Sequence, residues 1–446
     1  MAERLRRASW RDMVLIGLPS LLVVAAAFWA AAQFVQPAPP KQLILATGGA
    51  GGGYQRYAAA YKPLLAEEGI TLVERPTSGA MENLALLRDP DSEVDAAFIQ
   101  GGVVDKREDD DLYSLGAIYQ EPVWIFYRPS RFGDKEVPDR LLQLKGMRVA
   151  VGASGSGNRH LALELLQLNG LDDRHVTLLE AGGITAAEAL QKGRADAAIV
   201  VGPVQSAAVW TLLYAPGIKV MNLAQADAYT RRLAYLSHLV LPRGSVDLLR
   251  DIPDRDIHLL APTATLAVKE GTHPALVDLL LQAASETHNG HGLLQKAGDF
   301  PKAQAVEFPL SPRAEHFYKS GKPLLQRYLP FWAANLIDRL VVMLIPLIAV
   351  LYPVAKMAPS LYGWRIRSRI FKRYGELKFL EAEALAEDSG VQRQALLQRL
   401  DAIERDAARI PTPLAFSDML YTLRGHIEIV RAAILRQDGR QPENKS

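Results

Sequence analysis

The sequence predicts an α/β protein of two similar lobes, flanked by two transmembrane helices and followed by a C-terminal helical tail. Three observations predict it. Strands, small-residue turns and helices alternate in two series along the central part of the chain, which is typical of βαβ units. The segments Asp95 to Ile99 and Asp196 to Val200 are closely similar, and each follows a predicted helix. Two apolar segments with basic flanks enclose this central part.

The composition excludes several classes of protein. A chain of 446 residues allows two or three domains. The net charge of +2, with basic residues dispersed through the central region, gives no indication of nucleic-acid binding. The absence of cysteine excludes disulfides, thiol nucleophiles, thiolate metal sites and a lipidated N-terminal cysteine.

The first element is a predicted transmembrane helix over residues 13–34, preceded by a cytoplasmic N-terminus over residues 1–12. Met13 to Ala32 is uncharged and apolar, and four arginines precede it. About 20 apolar residues suffice to span a bilayer. A cleaved signal peptide is the alternative, because Ala30 to Ala32 resembles a small-residue cleavage site, but signal-peptide apolar regions are usually shorter, at about 7–15 residues.

After a proline-rich linker, lobe one is predicted over residues 41–128. Its first strand ends in a glycine run, Gly48 to Gly53, and Tyr54 opens a helix. A second strand leads to the turn Thr77 to Asn83, and a third ends at Gln100. Each strand end therefore offers small or amide residues, twice at the start of a helix, where unpaired N–H groups and a positive dipole end favour an anionic ligand.

Lobe two is predicted over residues 129–235, and the chain returns to lobe one over residues 236–330. Its first strand is followed by the turn Gly152 to Asn158 and a helix, and Gly182 and Gly183 precede a further helix. In open α/β sheets, ligands bind at the carboxyl ends of the strands. The two lobes are thus expected to present their turns to a common cleft.

A second transmembrane helix is predicted over residues 336–355, followed by a cytoplasmic helical tail over residues 356–446. Between Lys356 and Arg373 the chain carries basic but no acidic residues, and basic flanks remain on the cytoplasmic side. We therefore expect a bacterial inner-membrane protein with a periplasmic main domain and both termini in the cytoplasm. Apolar residues of the tail recur at helical spacing, which fits either a helical hairpin that packs on itself or a docking surface for a cytoplasmic partner.

The motifs do not indicate an enzyme or a cofactor. The glycine run places Tyr54 or Arg56 where the dinucleotide fingerprint needs its third glycine, and Gly321-Lys322 lacks the rest of a phosphate loop. The turn after Gly152 does not complete the nucleophile motif of serine hydrolases. His288 and His291 are separated by an asparagine and a helix-breaking glycine and have no obvious acidic neighbour, so no metal site is predicted.

Several of these segments together resemble a known family. Thr47 to Tyr54, Pro76 to Asn83, Asp95 to Gln100 and Leu144 to Arg159 are similar to TAXI-type solute-binding proteins, the extracytoplasmic receptors of one class of TRAP transporters. The resemblance covers about residues 41–320. It implies a two-lobed, type II-like periplasmic-binding-protein fold that closes around a small solute and delivers it to a TRAP-type permease.

The predicted ligand-binding residues follow the strand ends of both lobes. They are Gly49, Gly51, Gly52, Tyr54, Ser78, Gly79, Asn83, Gln100, Ser154, Ser156, Asn158, Arg159 and Gly183. Glycines allow close backbone approach to a ligand, and Arg159 is a candidate to neutralise a carboxylate. The alternative is structural: a tight strand–helix turn for the glycines and simple helix capping for Ser156 or Asn158.

Two functions from different classes follow. The first is a membrane-tethered receptor that captures a small, carboxylate-bearing solute for transport. The second is a transmembrane ligand sensor that signals through the cytoplasmic tail. Two spans cannot form a permease alone, so transport requires a separate partner.

Overall fold

The computed structural model describes residues 10–34, 37–104, 111–133, 137–304, 307–386 and 390–436. The chain divides into two compact units: a core unit of residues 38–335, and a terminal unit formed by the residues before and after it. Most of the predicted N-terminal segment 1–12 and the acidic residues Glu108 to Asp110 lie outside the described residues.

The core unit contains eleven strands and eight helices among the residues described. The strands are β1 Gln42–Ala46, β2 Thr71–Arg75, β3 Ala96–Gln100, β4 Leu112–Gln120, β5 Val123–Tyr127, β6 Arg148–Ala150, β7 Thr177–Leu179, β8 Ala197–Val201, β9 Lys219–Val220, β10 Leu236–Leu241 and β11 Ile257–Lys269. The helices are α2 Gly53–Glu67, α3 Ala80–Arg88, α4 Gly157–Leu168, α5 Gly183–Gln191, α6 Ala207–Leu213, α7 Ala226–Arg232, α8 Pro274–His288 and α9 Pro312–Ser320.

Two βαβαβ motifs of the same order form the centres of the two lobes. In lobe one, β1 lies between β2 and β3, and both pairings are parallel. In lobe two, β6 lies between β7 and β8 in the same way. The similar segments occupy equivalent places, because Asp95 accepts a hydrogen bond from the backbone N–H of Ile44 and Asp196 accepts one from that of Arg148. The α/β class predicted from the sequence is therefore observed.

Each lobe has its own apolar core. In lobe one, α2 buries Tyr54, Ala58, Tyr61 and Leu65, which recur at three- and four-residue intervals along one helix face. In lobe two, β5 is buried on both faces, with alternate side chains in two separate core clusters. Both cores hold the turns at the strand ends in place.

Strand β11 belongs to both lobes. Its first half pairs with β10 and touches β5 in lobe two, whereas its second half pairs with β3 and β4 in lobe one. The predicted lobe boundaries at residues 128 and 235 differ from this arrangement, because β5 and β10 both lie in the sheet of lobe two. Apolar runs show that these segments are strands but not which sheet they join.

The terminal unit is helical: α1 Trp10–Phe34, α10 Phe331–Ala386, α11 Gly390–Ala408 and α12 Ser417–Arg436. The second half of α10 packs with α11 and α12 around a common apolar cluster that includes Ile370, Leu400 and Ile427. The predicted second span and the first tail helix form one continuous helix, with Pro346, Pro353 and Pro359 inside it.

Among the described residues, one helix contains a stretch long and apolar enough to cross a membrane. That stretch lies within Phe331–Leu385, and its apolar part is not buried. In α1 the apolar part is shorter, Gly17–Gln33. The prediction of two membrane spans therefore remains a prediction.

Candidate functional site

A cavity of about 440 Å³ lies between the two lobes at the carboxyl ends of their strands. Lobe one contributes the glycine run after β1, the turn after β2 and Gln100 at the end of β3. Lobe two contributes the turns after β6, β7 and β8. The cavity therefore lies where the strand order of both lobes predicts a binding cleft.

Four helices of eight residues or more begin at this cavity. Their N-cap residues are Gly52 for α2, Gly79 for α3, Ser156 for α4 and Gly182 for α5, and all four line the cavity. The three glycines have no side chain to cap their helices, whereas Ser156 Oγ accepts from the backbone N–H of Arg159. Helix N-termini carry unpaired N–H groups and a partial positive charge. Their convergence brings four partial positive charges to the cavity without a basic side chain.

The charged side chains of the lining are acidic. Glu121 and Glu180 line the cavity, and no lysine or arginine does so among the residues described. Ser206 also lines it, and its Oγ is buried without a hydrogen-bond partner. A buried hydroxyl is normally paired, so Ser206 is free to bond with a molecule in the cavity.

Glu121 is the least expected residue of the site. It lies between β4 and β5, is only 5% exposed, and accepts hydrogen bonds of 3.0 Å from the hydroxyls of Tyr54 and Tyr119. Burial raises the pKa of its carboxyl to about 7, although the two tyrosine hydrogen bonds oppose that shift. In the sequence, one glutamate between two apolar runs gave no signal of this environment.

Ten of the thirteen predicted ligand-binding residues line the cavity. They are Gly49, Gly51, Gly52, Tyr54, Ser78, Gly79, Gln100, Ser156, Asn158 and Gly183. Asn83, Ser154 and Arg159 do not. Their role in binding remains a prediction for all thirteen.

Two of the predicted amide side chains support the backbone. Asn83 Nδ2 donates to the carbonyls of Thr47 and Phe98, which joins the ends of β1 and β3. Asn158 Nδ2 donates to the carbonyls of Val151 and Ile199, which joins the ends of β6 and β8. Both side chains therefore connect neighbouring strands, and Asn158 also lines the cavity whereas Asn83 does not.

Arg159 lies beside the site and is already paired. Its Nη2 lies 3.1 Å from an oxygen of Glu180, and its Nη1 is buried without a hydrogen-bond partner. A buried guanidinium nitrogen with no acceptor is costly. One half of the guanidinium is thus neutralised within lobe two, and the other half lacks an acceptor.

Small residues bring the two lobes into direct contact around the cavity. A Cβ atom on Gly79 would lie 3.4 Å from Ser156 Cα, and one on Gly155 would lie 2.7 Å from Ser78 Oγ. Gln100 Nε2 donates to the carbonyl of Gly157 across the cleft. The lobes are therefore closed on each other, and larger residues at these glycines would hold them apart.

One protein-family model matches most of the core unit. A family model described as the NMT1-like family matches residues 45–320. A comparison with curated proteins gave no match. The two-lobed mixed sheet is consistent with a periplasmic-binding-protein-like fold.

The solved structures that match this chain do so at low sequence identity and low TM-score. The periplasmic aliphatic sulphonate binding protein SsuA from Escherichia coli is 14% identical, with 73% of this chain and 93% of that chain covered and a TM-score of 0.35. The lipoprotein Tp32 from Treponema pallidum is 16% identical, with 55% and 90% covered and a TM-score of 0.32. The regulatory domain of CcmR from Synechocystis PCC6803, solved with 2-PG, is 14% identical, with 56% and 98% covered and a TM-score of 0.36.

Proposed function

Because the chain belongs to the NMT1-like family, we propose that it is a membrane-tethered solute receptor that captures a small, carboxylate-bearing molecule between its lobes. The observation that carries this proposal is the convergence of four helix N-termini on one cavity, three of them with glycine at the N-cap. An anion at a helix N-terminus gains about 0.3–1 kcal/mol at an exposed site and up to about 2 kcal/mol when partly buried. Several such termini acting together supply a specific anion site.

Backbone groups and hydroxyls supply the donors in this proposal. A carboxylate accepts several N–H or O–H bonds at once, and each such charged bond contributes about 1.5–3 kcal/mol. Of the hydroxyls in the lining, that of Ser206 has no partner, whereas those of Ser78 and Ser156 already donate to Glu82 and to the carbonyl of Ala153. The first N–H groups of the four helices supply the other donors. Arg159 adds a positive charge behind this lining, reduced by its pairing with Glu180.

The cavity volume limits the size of the solute. A cavity of about 440 Å³ lies within the usual range of about 300–1,000 Å³ for small-molecule sites. A solute can approach the backbone closely at Gly49, where a Cβ would meet no atom within 4 Å. The solute is therefore a metabolite-sized anion and not a polymer.

The proposal places the core unit outside the cytoplasmic membrane and both termini inside. What supports it is the apolar stretch of α10, its basic flank after Lys356, and the apolar part of α1. The recipient of the solute in this proposal is a TRAP-type permease. The alternative is a ligand sensor that acts through the tail on a cytoplasmic protein. In that case the protein binds the solute, but cells lacking the protein take up the solute at the normal rate.

The test is a thermal-shift panel on the full-length protein in nonionic detergent. The probes are acetate, malonate, succinate and glutarate, each paired with its neutral amide. We expect at least one carboxylate to raise the melting temperature, because a ligand that binds only the folded state stabilises it by mass action. The matched amide should have no effect. Equal shifts with acid and amide, or no shift with any acid, would overturn the proposed function.

A further inference from the structure

Glu121 places an acidic group inside a cavity that is built to receive an anion. Both of its carboxylate oxygens accept hydrogen bonds, one from Tyr54 and one from Tyr119, and its backbone N–H donates to the carbonyl of Pro262. We propose that the cavity is also a proton-binding site, in which Glu121 takes up a proton whenever an anionic solute binds. This inference rests on the proposed function, since it requires an anion in the cleft.

The groups that face Glu121 do not neutralise it. Helix α2 presents Tyr54 and Tyr57, and strand β4 presents Tyr119; burial raises the pKa of all three phenols, so they remain uncharged donors near neutral pH. From α8, His288 stacks on the ring of Tyr119, and burial lowers the pKa of its imidazole to about 3, so it is also neutral.

The remaining charged group of the lining belongs to lobe two. Glu180 lies in the same cavity and is paired with Arg159, so it adds no free positive charge. Strand β11 contributes the carbonyl of Pro262, which carries no charge. Glu121 and a bound carboxylate would therefore be two like charges in one enclosed space, which is unfavourable at low effective dielectric.

Protonation is the least costly way to remove this repulsion. The pKa of Glu121 is already about 7 in the cavity as it stands, because of burial. A nearby anion disfavours the ionised form further and raises that pKa. Near neutral pH the proton is therefore bound together with the solute. The protonated carboxyl also gains a donor, which an anion or a tyrosine oxygen accepts.

The pH dependence of binding follows from the same linkage. Above pH 7 the empty site has lost its proton and must regain it on binding, so affinity falls as pH rises. If the bound form stays protonated, the dissociation constant should be roughly ten-fold or more higher at about pH 8.5 than at about pH 6.5.

The experiment is calorimetry on the full-length protein in detergent, with the carboxylates of the thermal-shift panel as probes. Titrations at about pH 7.5 in triethanolamine and in Tris, neither of which is an anion, differ in buffer ionisation enthalpy, and the difference reports the protons taken up. We expect net uptake by the wild type and none by Glu121→Gln, which keeps a side chain of the same shape for both tyrosine hydroxyls. Glu68→Gln, at an exposed glutamate outside the cavity lining, is the matched control and should keep the uptake.

Each outcome decides between the alternatives. No binding by any carboxylate overturns the proposed function, and this inference with it. Binding without proton uptake, or uptake that persists in Glu121→Gln, overturns this inference alone.

If Glu121→Gln does not fold, as judged by near-ultraviolet circular dichroism, Tyr119→Phe replaces it. Losing that hydrogen bond removes support from the carboxylate, so the midpoint of the affinity-versus-pH curve should move to higher pH. An unchanged midpoint would overturn the assignment to Glu121.

Discussion

Acid should destabilise the core unit through His288, a buried histidine at the end of α8. Its ring is 2% exposed and is surrounded by Tyr57, Tyr61 and Tyr119, and its Nε2 lies 2.7 Å from the hydroxyl of Tyr61. Burial lowers its pKa from 6.5 to about 3, because the charged imidazolium would lose its water. The folded protein therefore holds this residue neutral where the unfolded chain would protonate it.

The direction and the size of the change in folding stability with pH follow from this difference between the folded and unfolded pKa. The contribution is fully present above the unfolded pKa of 6.5 and is lost as pH falls toward 3, since the unfolded state then binds the extra proton. One pKa unit corresponds to about 1.4 kcal/mol. Between about pH 7.5 and pH 5, roughly 1.5 units of this window are crossed, so the loss should be about 2 kcal/mol.

The assay is denaturant unfolding of the full-length protein in nonionic detergent at both pH values, followed by near-ultraviolet circular dichroism. His288→Phe keeps an aromatic ring and removes the titration. It should be less stable at neutral pH, because Tyr61 loses its partner, at a cost of about 1–3 kcal/mol. Its loss of stability on acidification should nevertheless be about 2 kcal/mol smaller than that of the wild type.

Other acid-sensitive groups are common to both proteins and cancel in this comparison. The reasoning is refuted if wild type and His288→Phe lose the same stability between the two pH values.

Three further predictions concern the cleft and the membrane. Gly49→Val should weaken carboxylate binding about ten-fold or more without loss of fold, because its Cβ enters open space. Gly290→Val, the control, should leave carboxylate affinity unchanged. Equal affinity of Gly49→Val and wild type would mean that the glycine run is only a structural turn. Arg159→Ala should weaken binding about ten-fold, and Glu180→Ala should strengthen it by freeing the guanidinium, both measured by calorimetry; no effect of either change would remove Arg159 from the site. A reporter fused after Ser446 should be cytoplasmic, and a periplasmic signal would contradict the two-span topology.

The sequence predicted the parts of the cleft that depend on local pattern. A strand followed by a glycine run and a helix is a local signal, and the turns after β1, β2, β6 and β7 all lie where that signal placed them. The similar segments at Asp95 and Asp196 likewise indicated two equivalent motifs, which the strand order shows.

What the sequence did not reveal depends on contacts between distant segments. The environment of the Glu121 carboxylate depends on a hydrogen bond from Tyr54, which lies 67 residues away along the chain. The pairing of Arg159 with Glu180 joins helix α4 to the turn after β7, and these two segments share no sequence motif. The division of β11 between two sheets depends on which strands it meets, and hydrophobic patterning does not record that.

The place where the chain crosses between the lobes has a mechanical consequence. The polypeptide passes from β4 to β5 through Glu121 and Pro122, and it passes back along β11; the N–H of Glu121 donates to the carbonyl of Pro262 at the same level. A rotation of one lobe would therefore bend both crossings together, about an axis close to Glu121. Atoms near an axis move least, so Glu121 would keep its tyrosine partners while the turns of lobe two move away from those of lobe one.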